Sequence, residues 1–255
     1  MQVRDVIIGP TNTAHILRWI RRVLTQGIIR EQRIGVAMSG GGVEGFLYQL
    51  GVVHAINSAV SGRSLQECHV YSGVSSGAIA ASLIAGKVPV AEVIKALNHK
   101  SEVLPNLGSS TLFDLAGRDI LRRIIMESLT WGGLAPQKWI GKVLRSIPTG
   151  LFKGDLLQEY FRNAITKFGG NDSFRDLDSE LYIGATDQDT FEHVVFGKSP
   201  WDDIPVSEAL RASAALPPLF TPIKIRGRYF IDGQVTRTCN LELVVERGCR
   251  LNFIS

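Results

Sequence analysis

The chain is poor in features that would fix its class at once. Only three of its 255 residues are cysteines. Cys68, Cys239 and Cys249 form neither an even set nor a metal-ligand spacing, so a disulfide framework and a structural zinc module are excluded. They read as thiols buried as small hydrophobes in a reducing compartment. No apolar run reaches the length that spans a bilayer. The first ten residues, MQVRDVIIGP, lack the charged start and long apolar core of a secretory signal. We therefore expect a cytoplasmic protein with, at most, peripheral membrane contact. The formal charge is only +4 and nothing resembles a nucleic-acid-reading module, so no nucleic-acid partner is expected. With 45% hydrophobic and 20% charged residues the composition is globular, and the length suits one α/β domain carrying an insertion.

Against these absences stands Tyr71-Ser-Gly-Val-Ser-Ser-Gly77. His69, Val70 and Tyr71 read as a short strand, and Ala78 to Ile84 as a small-residue helix packed on the same sheet. A serine between two glycines at such a join sits on a sharp turn, its hydroxyl near a helix N-terminus, where the helix dipole favours negative charge. Ser75 is thus a candidate nucleophile. Gly73 and Gly77 flank it because side chains there would collide as the backbone folds back.

Upstream, residues 13–33 carry Ile16, Trp19, Ile20 and Val23 among five arginines, an amphipathic basic helix. It either lies on an anionic membrane or docks on the domain with its arginines solvated, and we read it as docked. Residues 33–38 form a buried strand, followed at once by Ser39-Gly-Gly-Gly-Val-Glu-Gly45 and a helix with Phe46, Leu50, Val53 and Ile56 on one face. Backbone N–H groups of Gly40, Gly41 and Gly42 then gather at a helix N-terminus and suit an oxyanion hole. Gly40, Gly42 and Gly45 also satisfy a dinucleotide-binding pattern. That reading needs an acid at the end of the second strand, and Glu67 precedes the strand instead.

Residues 98–167 turn helical and irregular, a cap-like insertion whose Trp131, Trp139, Phe152 and Phe161 are candidates to line an acyl pocket. The sheet resumes with strands at 181–185 and 192–196 joined by an Asp187 to Thr190 turn. A helix at 205–212 precedes a hairpin that turns at Arg226-Gly227 and delivers Asp232-Gly233 at a strand end.

A serine needs a base. No histidine follows Asp232, and His193, the one histidine able to complete a Ser-acid-His order, sits mid-strand and reads as structural. Asp232 is the better base: partial desolvation would raise its pKa and strengthen it.

The glycine loop at Ser39 to Gly45, Gly73-Val-Ser-Ser-Gly77, Arg211-Ala-Ser-Ala-Ala-Leu-Pro217 and Asp232-Gly233 together resemble the patatin-like phospholipase family over residues 33–255. The resemblance implies a three-layer α/β/α sandwich with a mainly parallel central sheet. It also implies a Ser75–Asp232 dyad hydrolysing phospholipid or other acyl-ester lipids, without a metal or organic cofactor; whether a protein or lipid activator is needed stays open. Residues 1–32 stand apart as the N-terminal helical segment. Two positions depart from the family pattern: Glu44, where Lys or Arg is frequent, and Gln234, where Gly or Ala is common. The end, Asn252-Phe-Ile-Ser255, falls in a strand-like run, as in a compact variant or a shortened chain. Two other readings stay open: a serine esterase or thioesterase on soluble acyl substrates, and a catalytically silent lipid-binding module.

Overall fold

The computed structural model describes residues 6–7, 33–59, 64–108 and 150–255. Of the basic helix expected at 13–33 all but Arg33, and of the cap-like insertion residues 109–149 with Trp131 and Trp139, lie outside the described residues.

The strands read as nearly continuous apolar runs because both of their faces are covered. In β2 (Ile34–Met38), Ile34, Val36 and Met38 enter one core while Ala37 enters another. The same alternation splits Tyr71 from Val70 in β3 (Val70–Val74), and Leu181, Ile183 and Ala185 from Tyr182 in β4 (Glu180–Asp187). Successive side chains leave a strand on opposite faces, so this pattern requires helices on both sides of the sheet.

The larger core takes in residues of α1 (Gly42–Ala59), α2 (Ser76–Ala85), α3 (Val90–Leu97), α4 (Asp155–Lys167) and α5 (Val206–Ser213). Leu243 and Val244 of α6 (Leu241–Glu246) close the smaller one. The result is the expected α/β/α sandwich. Phe161 and Ile165 of α4 belong to the main core, so this part of the segment read as a cap is built into the domain.

β1 (Val6–Ile7), β8 (Leu251–Ile254), β2, β3 and β4 run parallel, in that spatial order. β5 (His193–Phe196) and β7 (Arg228–Asp232) pair antiparallel with β4, and β6 (Ile223–Ile225) borders β7. One detail of β4 positions the site. Gly184 pairs with Val74 and Val195, and Ala185 with Asp232 and Val194. A strand has two edges, and β5 occupies one of them at both residues. β3 and β7 therefore share the other edge and meet end to end, Val74 opposite Gly184 and Asp232 opposite the next residue.

Local chemistry explains how β7 gets there. The β6–β7 hairpin turns on Arg226 (φ 50°) and Gly227 (φ 83°), the paired positive φ of a tight I′ hairpin turn. The preceding turn is tied by Asp187, whose Oδ1 accepts from the amides of Asp189 and Thr190, both at 2.9 Å.

Candidate active site

Ser75 occupies the single residue between β3 and α2, with φ 54° and ψ −125°. A non-glycine residue in that region carries strain of about 1–3 kcal/mol, held by its surroundings. Those surroundings are tight. A methyl group on Gly73 would fall 2.4 Å from the Gly77 carbonyl oxygen, and one on Gly77 would fall 2.4 Å from that of Met38. The elbow crosses so close to its own helix and to β2 that only glycine fits on either side of the serine.

The Ser75 amide donates to Ser213 Oγ (2.8 Å), and Ser213 Oγ donates to the Gly184 carbonyl (2.7 Å). Ser213, the last residue of α5 and fully buried, thus locks the elbow to the β4 residue where β3 gives way to β7. It lies in the Arg211 to Pro217 motif, a sequence signal that carried no role for it. Ser213→Ala strips partners from two buried backbone groups, which costs about 1–3 kcal/mol. The expected outcome is a lower melting temperature together with a smaller kcat at unchanged KM, read by thermal melts and ester kinetics.

Asp232 is completely buried. Its Oδ2 accepts from Ser75 Oγ at 2.6 Å, and its Oδ1 from the Gln234 amide at 2.8 Å. Burial pushes its carboxyl above the usual carboxylate range; the two hydrogen bonds, from Ser75 and Gln234, pull it back only in part. No histidine takes part in this pair. His193 Nε2 donates to Asn240 Oδ1 (2.8 Å), which leaves Nδ1 to accept from Thr236 Oγ1 (2.9 Å). Burial depresses the His193 pKa, in keeping with a neutral ring that braces the turn after Asp232. A side chain on Gly184 would strike that ring, which explains the glycine in the middle of β4.

The loop from β2 to α1 carries Gly40, Gly41 and Gly42. Gln49, buried on α1, donates through Nε2 to the Ser39 carbonyl at 2.5 Å and steadies the loop from inside. The Gly40 amide donates to the Thr238 carbonyl (3.2 Å). Among the described residues, the Gly41 and Gly42 amides have no acceptor. Gly42 opens α1 at φ 61°, with Glu44 in the first turn, where a carboxylate complements the helix dipole.

Ser75, Asp232 and Gly42 open into a cavity of about 290 Å³. Phe46, Ile79, Leu157 and Phe161 form apolar walls, and Leu216, Leu219 and Val43 stand at the solvent side, each partly exposed. Of the aromatics read as pocket candidates, Phe161 lines the cavity and Phe152 packs against the lining Phe220, the rings tilted by 52° at a centroid distance of 5.7 Å. Ser76 also lines the cavity, and its Oγ is buried without a hydrogen-bond partner among the described residues. Among those residues, no three His, Cys, Asp or Glu side chains converge as a metal site. None of the described helices is long and apolar enough to cross a membrane.

Comparison with solved structures finds similarity to VipD from Legionella pneumophila, 20% identical with a TM-score of 0.44, covering 81% of this chain and 46% of that one. The type III effector protein ExoU is 22% identical with a TM-score of 0.43, covering 73% of this chain and 40% of that one. The chain thus spans less than half the length of either protein. The family model for patatin-like phospholipases matches residues 36–245. That span runs from β2 through the elbow, the Ser213 lock and Asp232 to α6, so the chain belongs to the patatin-like phospholipase family.

Proposed function

We propose that the protein is a lipid acyl hydrolase that cleaves carboxylic esters through Ser75 and Asp232. The observation that carries this reading is the 2.6 Å hydrogen bond from Ser75 Oγ to a buried Asp232 carboxylate at the floor of an apolar cavity. Ser75 Oγ attacks the ester carbonyl as its proton passes to Asp232 Oδ2, and the carbonyl oxygen becomes an oxyanion. That charge falls to backbone N–H donors of the glycine loop, with the Gly41 and Gly42 amides available for it and the Gly40 amide anchoring the loop. Collapse breaks the bond to the leaving alcohol, which takes the proton from Asp232. Water then attacks the acyl-enzyme, gives its proton to Asp232 and releases the acid; Ser75 recovers its hydrogen.

The apolar rim favours aggregated lipid over a soluble ester. Val43 and, one helical turn on, Leu47 are about half exposed, as is Leu151, whose amide bonds the Pro218 carbonyl beside Leu219. Such a cluster around a cavity mouth suits insertion among lipid chains. Glu44 lines the same mouth, and its charge opposes anionic head groups. Leu47→Asp combined with Leu151→Asp is expected to slow hydrolysis of micellar substrate about tenfold, a loss of about 1.4 kcal/mol of interfacial binding. Rates on the same ester below its critical micelle concentration should stay within about twofold; equal loss on both forms would favour the soluble-ester reading.

A fluorophosphonate probe tests the chemistry without choosing a lipid. Mass mapping should place the label on Ser75. A folded protein that is not labelled would instead support a silent lipid-binding module.

A further inference from the structure

We propose that the Gln234 carboxamide is a side-chain donor to the oxyanion, taking the share of the load that the Gly40 amide cannot carry. The inference rests on the hydrolase reading above. Two observations carry it. The first is a missing donor: the Gly40 N–H already donates to the Thr238 carbonyl at 3.2 Å, so the loop offers the amides of Gly41 and Gly42.

The second is the placement of Gln234. Its backbone amide is pinned to Asp232 Oδ1 at 2.8 Å, which fixes the residue relative to the base. Its side chain then lies directly over the glycine loop. A methyl group on Gly40 would fall 2.1 Å from Gln234 Cδ and 2.5 Å from Nε2. With a C–C bond of about 1.5 Å, Nε2 is within about 4 Å of Gly40 Cα. The carboxamide shares the cavity wall with Ser75, Asp232 and Gly42, and among the described residues it has no hydrogen-bond partner. A carboxamide N–H donated from there to a developing oxyanion, in a site lined mostly by apolar side chains, is worth far more than one in water.

The rival for the same geometry is a spacer: Gln234 fills the volume above Gly40 and does nothing else. The two differ in sign and in what they affect. We would measure hydrolysis of a short-chain p-nitrophenyl ester, and binding of a trifluoromethyl ketone that mimics the tetrahedral intermediate, for wild type, Gln234→Ala and Gln234→Glu. A donor predicts kcat about 100-fold lower in Gln234→Ala with KM within about twofold. Ketone affinity should fall in parallel. Gln234→Glu should lose at least as much at neutral pH, because its carboxylate accepts hydrogen bonds and repels the oxyanion. Matching thermal melts would show that the fold is intact. Unchanged or faster turnover of Gln234→Ala, with unchanged ketone affinity, overturns the donor role and makes Gln234 a spacer, even though wild type still labels at Ser75. Wild type that neither labels nor hydrolyses overturns the hydrolase reading and this inference with it.

Discussion

Asp232→Asn is expected to lower kcat by about 10²- to 10⁴-fold, the usual worth of a general base, while the protein melts no lower than wild type. The two halves of that result have one cause. Asp232 is fully buried, and burial holds its carboxyl above the ordinary carboxylate range. A folded pKa above the unfolded one means that the native state binds the proton more tightly. Stability therefore falls as pH rises from the unfolded value of 3.8 through the raised folded value, and the ionised group is a net cost at neutral pH. Asparagine removes that charge, and its carbonyl oxygen can still accept from the Gln234 amide.

Activity runs the other way. With Asp232 as the proposed base it requires the ionised carboxylate, so kcat/KM should drop on the acid side at a pH above 3.8, as Asp232 protonates. His193→Gln should leave that limb where it is, because both ring nitrogens of His193 are occupied by Thr236 and Asn240. Ser75→Ala, which on the same proposal removes the nucleophile itself, should lose activity on the order of 10⁶-fold. Calorimetry beside pH–rate profiles would decide the matter: an Asp232→Asn variant that hydrolyses like wild type ends the dyad assignment.

Gly77→Ala is expected to destabilise the fold by about 3 kcal/mol or more, the upper end of what overpacking costs. The added methyl would lie 2.4 Å from the Met38 carbonyl oxygen and 2.5 Å from that of Ser39. Both are backbone atoms at the end of β2, so relief means moving a central strand or lifting α2 off the sheet. For a chain of this size the melting temperature should fall by about 6–12 °C. Gly51→Ala is the control. It lies inside α1, where an added methyl meets nothing within 4 Å, so helix propensity alone acts and the change should stabilise by about 0.5–1 kcal/mol. A Gly77→Ala protein that melts with wild type would mean that the elbow is looser than its geometry implies.

Much of the fold could be read locally. The elbow, the Asp187 turn and the Arg226-Gly227 hairpin each declare themselves within a few residues, because backbone sterics and short-range hydrogen bonds act over that distance. The alternation of β2, β3 and β4 between two cores follows from the pleat and from apolar runs too continuous for a one-sided sheet. The motifs that placed the chain in its family also lie within local segments. Other features were invisible at that range. Ser213 carried no signal of its bond to the Ser75 amide, since the two lie 138 residues apart and serine is an ordinary helix-end residue. The engagement of Gly40 with Thr238 and the carboxamide of Gln234 over the loop likewise depend on how the segment after β7 packs back on β2.

The sequence by itself determined where a strained turn would present a serine and where a carboxylate would close a strand, because turn chemistry is written in neighbouring residues. Only the tertiary structure decided that they meet. β3 and β7 abut on one edge of β4, and that juxtaposition sets Ser75 Oγ 2.6 Å from Asp232, a contact across 157 residues that no local interaction can specify.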